Sequence, residues 1–155
     1  MISPELLRRY TFFGPFNDQQ QKAMAMIAEE IEFEDGEVVL EEGKVANALY
    51  FVIRGCVDLY YTVESTSVNT NRQMVPVGQI NPGEPFGIST LIEPHLLTST
   101  ARSFGQSKLL KFEKESLDRV FQEDSRLECI MIHQIAKAAM ERLHTTRTQL
   151  AAAWA

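Results

Sequence analysis

Residues Asn81 to Arg102, NPGEPFGISTLIEPHLLTSTAR, decide how the rest of the chain is read. Pro82-Gly83 predicts a turn, because proline presets one central dihedral and glycine accepts the next. Phe86-Gly87 opens a short helical hook. A loop follows, and Leu97 to Arg102 reads as a strand. A glycine turn feeding a short helix leaves backbone N–H groups free, an arrangement that suits an anionic ligand.

Upstream, Ser3-Pro4-Glu5 marks a helix start, with a capping residue, proline in the first turn and an acid near the positive helix end. Phe12, Phe13 and Phe16 flank Gly14-Pro15 and are expected in the core. Asn17 or Asp18 caps a second helix, in which Met24, Ile27, Ala28 and Ile31 recur at helical spacing. From Glu32 to Phe112 the pattern is β. Asp35-Gly36 and Glu42-Gly43 are turn signals, and Leu49 to Ile53 is a continuous apolar run ending at Arg54-Gly55. Val57, Leu59, Tyr61 and Val63 then alternate with polar residues. Glu64 to Arg72 is a polar hairpin loop, and Met74 to Ile80 is a strand whose Pro76 argues for a sheet edge or a bulge. Leu97 to Arg102 and Ser107 to Phe112 are two further strands turned at Gly105. The expected fold is mainly β with flanking helices: about eight short strands in a double-stranded β-helix (jelly-roll) barrel.

Glu113 onward reads as helical. After Glu123-Asp124-Ser125 a long helix carries Cys129, Ile132, Ala136, Ala139, Leu143, Thr146 and Leu150 in steps of three and four. That is a heptad seam, with small residues at Ala136 and Ala139 that permit close helix approach. Leu127, Met131 and Ile135 form a second apolar stripe beside it. Two stripes call for two partners: the chain's own β region and the same helix of a second subunit. One wide stripe packed on a single domain is the alternative. The expected organisation is one domain over 1–155, with N-terminal helices in 1–31, the β region in 32–112 and C-terminal helices in 113–155.

The order and spacing of these signals resemble the cyclic nucleotide-binding domain family, as in catabolite activator and fumarate–nitrate regulators. FEDGEVVLEEGKVANALYFVIRGCVDLYY, from Phe33, is similar to the family's opening half, and Ile80 to Gly87 to the approach to its phosphate-binding cassette. Ser116 to Leu150 resembles the dimerising helical region of the regulators. The resemblance implies a non-enzymatic regulatory module with a cassette at 81–102 and a small-molecule effector. The candidate ligand contacts are Gly83, Phe86, Gly87, Ile88, Ser89, Ser99, Thr100 and Ala101.

In that family a glutamate after the Phe-Gly pair accepts from the ribose hydroxyl, and a later arginine neutralises the cyclic phosphate. Here Ile88 and Ser99 occupy those positions. A hydrogen bond to a charged group is worth about 1.5–3 kcal/mol, and an arginine–phosphate pair at least as much. Losing both predicts affinity weakened by at least ~100-fold. No cofactor is expected with certainty, and a cyclic nucleotide is disfavoured by Ile88 and Ser99. Arg102 has the wrong strand parity to stand in for Ser99. The alternative is a protein-interaction or dimerisation scaffold whose hook is a vestigial turn.

The formal net charge of −6 argues against a nucleic-acid duplex as a partner. No helix-turn-helix pattern follows the long helix, so no DNA binding is expected of this chain alone. Cys56 and Cys129 match no metal or redox spacing. No apolar run is long enough for a membrane span, and the expected location is the cytoplasm. The His-x-His pair of a cupin metal site is missing, as is a Gly-x-Ser-x-Gly nucleophile elbow, and His95, His133 and His144 sit at no ligand spacing.

Overall fold

The computed structural model describes residues 1–64 and 72–155. The predicted hairpin loop at 64–72 lies largely outside the described residues. Two short helices open the chain, α1 (Pro4–Arg8) and α2 (Asp18–Ile27), with a 3-10 turn at Thr11–Phe13 between them. Asn17 is the cap of α2. Its side chain accepts from Gln20 N–H at 2.8 Å and the Gln20 side chain accepts from Asn17 N–H at 3.0 Å, a reciprocal capping box. Ser3 makes no capping bond to the backbone of α1. The helical spacing read through Ala28 and Ile31 ends earlier than expected. Ala28–Phe33 is strand β1, paired antiparallel with the distant residues Ser107 to Phe112. Sheet pairing with a remote strand overrides local periodicity there.

The strands are fewer and longer than expected. They are β2 (Val38–Leu40), β3 (Ala48–Glu64), β4 (Arg72–Ile80), β5 (Pro85–Phe86) and β6 (Thr100–Glu113). The runs at Leu49 to Ile53 and Val57 to Val63 are one strand, bent where its register against β6 slips between Val52 and Cys56. The runs on either side of Gly105 are likewise one strand, β6, which begins at Thr100 rather than Leu97. β3 and β6 pair along most of their length, with β1 and β2 on β6 and β4 and β5 on β3. The result is an open six-stranded antiparallel sheet. Its end strands β1 and β4 are not hydrogen-bonded to each other among the described residues, so this path does not close a barrel. β4 is a sheet edge, and the register slips where Gly78 and Pro76 face Leu59 and Tyr60. Pro76, with no N–H to give, is thus accommodated by both an edge and a bulge.

Apolar side chains on both faces explain the unbroken run in β3. Leu49 and Phe51 join the N- and C-terminal helices in one cluster, built on Leu7, Phe13, Phe112, Leu117, Leu127 and Met131. Tyr50 and Val52 point into a second cluster with Val57, Ile80, Phe86, Ala101 and Leu109. Alternation along a strand buried on both faces produces this division.

Gly55 turns the bend of β3 at φ +84°, and a Cβ there would meet Gln106 O at 2.6 Å and Ser107 Cα at 2.9 Å. Both obstacles are backbone, so neither can swing aside. We expect Gly55→Ala to cost at least about 2 kcal/mol and to lower the thermal midpoint by about 5 °C or more. An unchanged midpoint in thermal denaturation would contradict this account of the bend.

Two helices close the chain, α3 (Lys114–Glu123) and α4 (Ser125–Trp154), the latter 30 residues long. Asp124 caps α4, accepting from Arg126 N–H and Leu127 N–H at 3.1 Å each. The bond from Leu127 N–H, then that from the Gln20 side chain, holds its carboxyl below the usual aspartate range. The stripe Leu127, Met131 and Ile135 is buried in the first cluster, while Cys129, Ala136, Leu143 and Leu150 of the seam are exposed. No helix among the described residues is long and apolar enough to cross a membrane.

Candidate ligand-binding site

A cavity of about 330 Å³ lies between the hook, the inner face of the sheet and α4. The turn at Asn81–Glu84 and strand β5 set the hook against β3. Gly83 N–H donates to Val52 O at 2.9 Å, and Val52 N–H to Glu84 O at 3.1 Å. The Phe86 ring stacks on Tyr50 at 5.3 Å. The hook itself is a 3-10 helix, Ile88–Leu91, entered through Gly87 in the left-handed region at φ 71°. A Cβ at Gly87 would approach Ala48 O to 3.0 Å and Leu40 Cδ1 to 3.1 Å, so glycine meets both the dihedral and the space. Thr90 Oγ1 donates to the same Ala48 O at 2.8 Å, which ties the hook to the start of β3. His95 Nδ1 sits 3.1 Å from Ser89 O, and Lys44 and Leu97 hold the following loop through a 2.9 Å backbone bond.

Six of the eight predicted contacts line this cavity: Phe86, Gly87, Ile88, Ser89, Ser99 and Ala101. Two do not. Gly83 lies in the preceding turn and borders a separate hollow with Thr11 and Gln134. Thr100 is buried, with its hydroxyl accepting from Glu42 N–H at 3.1 Å, so it serves the β2 junction. Strand alternation is the reason: Ser99 and Ala101 share one face and Thr100 takes the other. Arg102 is exposed on that other face, its guanidinium 5.9 Å from the Tyr60 ring centre. It cannot serve the cavity.

The remaining wall belongs to α4, through Ala139, Arg142, Leu143 and Thr146. Three of these are seam positions. Arg142 was not among the predicted contacts. It lies three residues after Ala139 and four before Thr146, on the same helical stripe, and that spacing is the signal which could have found it. Its NH2 donates to Pro85 O at 2.6 Å. Burial pulls its pKa down, opposed by the charge of Glu84, yet a guanidinium stays cationic under ordinary conditions. Among the described residues no carboxylate forms an ion pair with it. The Glu84 carboxylate instead accepts from Asn81 N–H at 3.3 Å.

The other candidates stay apart from the cavity. Cys56 is partly exposed beside Gln79 and Phe104, its thiol pushed up mainly by desolvation and also by Asp58. Among the described residues no three His, Cys, Asp or Glu side chains gather to hold a metal.

A bent antiparallel sheet, a glycine-entered hook and a C-terminal helix meet around one cavity. Residues 30–124 match the cyclic nucleotide-binding domain family, and the chain belongs to it. The domains of this family are regulatory and non-catalytic. A Geobacter metallireducens GS-15 protein of the cyclic nucleotide-binding class is 33% identical, with a TM-score of 0.79, and the match covers 93% of this chain and 100% of that one. The regulatory domain of Toxoplasma gondii PKA, solved with cAMP, superposes with a TM-score of 0.72 at 18% identity, over 89% of this chain and 48% of that one. The cAMP-dependent protein kinase regulatory subunit of Dictyostelium discoideum is 21% identical over 88% of this chain. The chain spans only 38% of that relative's length.

Proposed function

We propose that the chain is a non-enzymatic sensor module that holds a small effector in the cavity between hook and α4, with weak or no affinity for cyclic AMP and cyclic GMP. One observation carries the reading: Gly87, Ile88 and Ser89 of the hook and Ala139, Arg142 and Leu143 of α4 line the same cavity. A ligand that touches both elements has different affinity for arrangements in which they differ, and so shifts the population between them. The volume falls at the small end of the range for ligand pockets. The altered cassette supports the weak-nucleotide part. Ile88 places an apolar side chain, and Ser99 a neutral hydroxyl, where the family's nucleotide binders place Glu and Arg.

We further propose a homodimer through α4. Leu143 is 48% exposed and Leu150 60%, on a helix whose last two turns are exposed all round. Apolar side chains at seam spacing on such a helix fit a two-stranded contact. In this arrangement the seam and the cavity share Ala139, Leu143 and Thr146, which would couple effector and dimer geometry. A scaffold with an unused pocket is the competing reading.

Calorimetric titration with cyclic AMP and cyclic GMP, carried to millimolar ligand, tests the nucleotide part. We expect no binding tighter than about 100 μM, roughly −5.5 kcal/mol. Micromolar binding would mean that other groups replace the missing Glu and Arg.

A further inference from the structure

We propose that the cavity takes an amphipathic organic anion, with its charged group held by Arg142 from α4 and its apolar body against Leu40, Leu59, Val77 and Ala101. The inference rests on the reading of the cavity as an effector site and names the ligand class. Three observations carry it. Arg142 faces the cavity with one identified protein bond, to the neutral Pro85 carbonyl. No carboxylate among the described residues pairs with it, so its charge is not neutralised by an ion pair there. A guanidinium has five donors in a planar fork, and one carbonyl leaves most of that capacity for a carboxylate, phosphate or sulfonate. The rest of the wall is largely apolar, and its other polar side chains are the hydroxyl residues Tyr61, Ser89, Thr98, Ser99 and Thr146. A wholly polar anion would waste the apolar wall, and a neutral hydrocarbon would leave Arg142 poorly solvated.

The cation arrives from a different element than the cassette. Ser99 on the sheet side offers no charge, and Arg142 offers one from the helix. An anion gripped there shares the guanidinium with the Pro85 carbonyl. Ligand entry is therefore read directly by α4 and by β5, which leads into the hook.

The test uses two fluorescent probes with the same aromatic skeleton: anilinonaphthalene sulfonate, which is anionic, and N-phenylnaphthylamine, which is neutral. Binding of each is measured for the wild type, Arg142→Met, Arg142→Lys and Ser99→Phe, with the thermal midpoint of each variant alongside. Ser99→Phe fills the cavity and identifies binding that occurs inside it. We expect the sulfonate to bind the wild type and to be lost with Ser99→Phe. Arg142→Met should weaken it about tenfold to a hundredfold, as for a charge-assisted bond. The neutral probe should change less than about twofold in that variant, and Arg142→Lys should recover part of the loss. Equal sulfonate affinity in wild type and Arg142→Met, with binding still blocked by Ser99→Phe, overturns the role of Arg142 and leaves the effector site standing. A parallel loss of both probes with a lowered midpoint makes Arg142 a structural residue and also overturns it. If Ser99→Phe changes neither probe, the cavity takes no such ligand, and the effector-site reading falls with the inference.

Discussion

The double variant Ile88→Glu, Ser99→Arg binds cyclic AMP at least about 100-fold more tightly than the wild type. Both positions line the cavity, Ile88 at the start of the hook and Ser99 just before β6. A carboxylate that accepts a ribose hydroxyl contributes about 1.5–3 kcal/mol. A guanidinium on the cyclic phosphate adds a bidentate charge-assisted pair. Together they account for two or more factors of ten, at about 1.4 kcal/mol each. Calorimetric titration of both proteins under identical salt measures the difference. Ile88 also packs against the helix-side cluster, so a thermal melt must accompany the titration. A folded double variant with no gain would mean that the cavity does not present these positions to a nucleotide as the family cassette does.

Leu150→Asp converts the proposed dimer to monomers at micromolar concentration. Leu150 is the seam residue chosen because it does not line the cavity, unlike Leu143, whose replacement would disturb both. A two-fold interface buries the residue twice. Each leucine lost removes up to about 1.5–3 kcal/mol of burial, and the two carboxylates are placed close together. The dimer dissociation constant should rise by at least about 100-fold. Sedimentation velocity reads the outcome. A wild type that is already monomeric removes the dimer altogether, and a variant that remains dimeric moves the interface elsewhere.

Much of this architecture was legible in order and type. The Pro82-Gly83 turn, the hook after Phe86-Gly87, the edge or bulge at Pro76 and a cap at Asn17 or Asp18 each follow from a residue with a distinctive local role: proline fixes φ and gives no N–H, glycine admits positive φ, and a short polar side chain accepts from a free N–H. Strand parity separated Ser99 from Arg102, since alternation is fixed by backbone geometry. Parity also predicts that Thr100 turns away from the cavity, and grouping it with the contacts overlooked that.

By itself the chain determined the succession of elements and the residues of the hook, because these depend on local dihedrals and on position along the chain. Only the tertiary structure decided what depends on distant partners. Ala28 and Ile31 leave a helical pattern for a strand because Leu109 to Phe112 offers hydrogen bonds. Two pairs of short strands fuse into β3 and β6 because each pairs with the other across its bend. Arg142 comes to the cavity because α4 is packed by Leu127, Met131 and Ile135 at a particular rotation. That rotation is set by the shape of the core it meets, which helical periodicity alone does not specify.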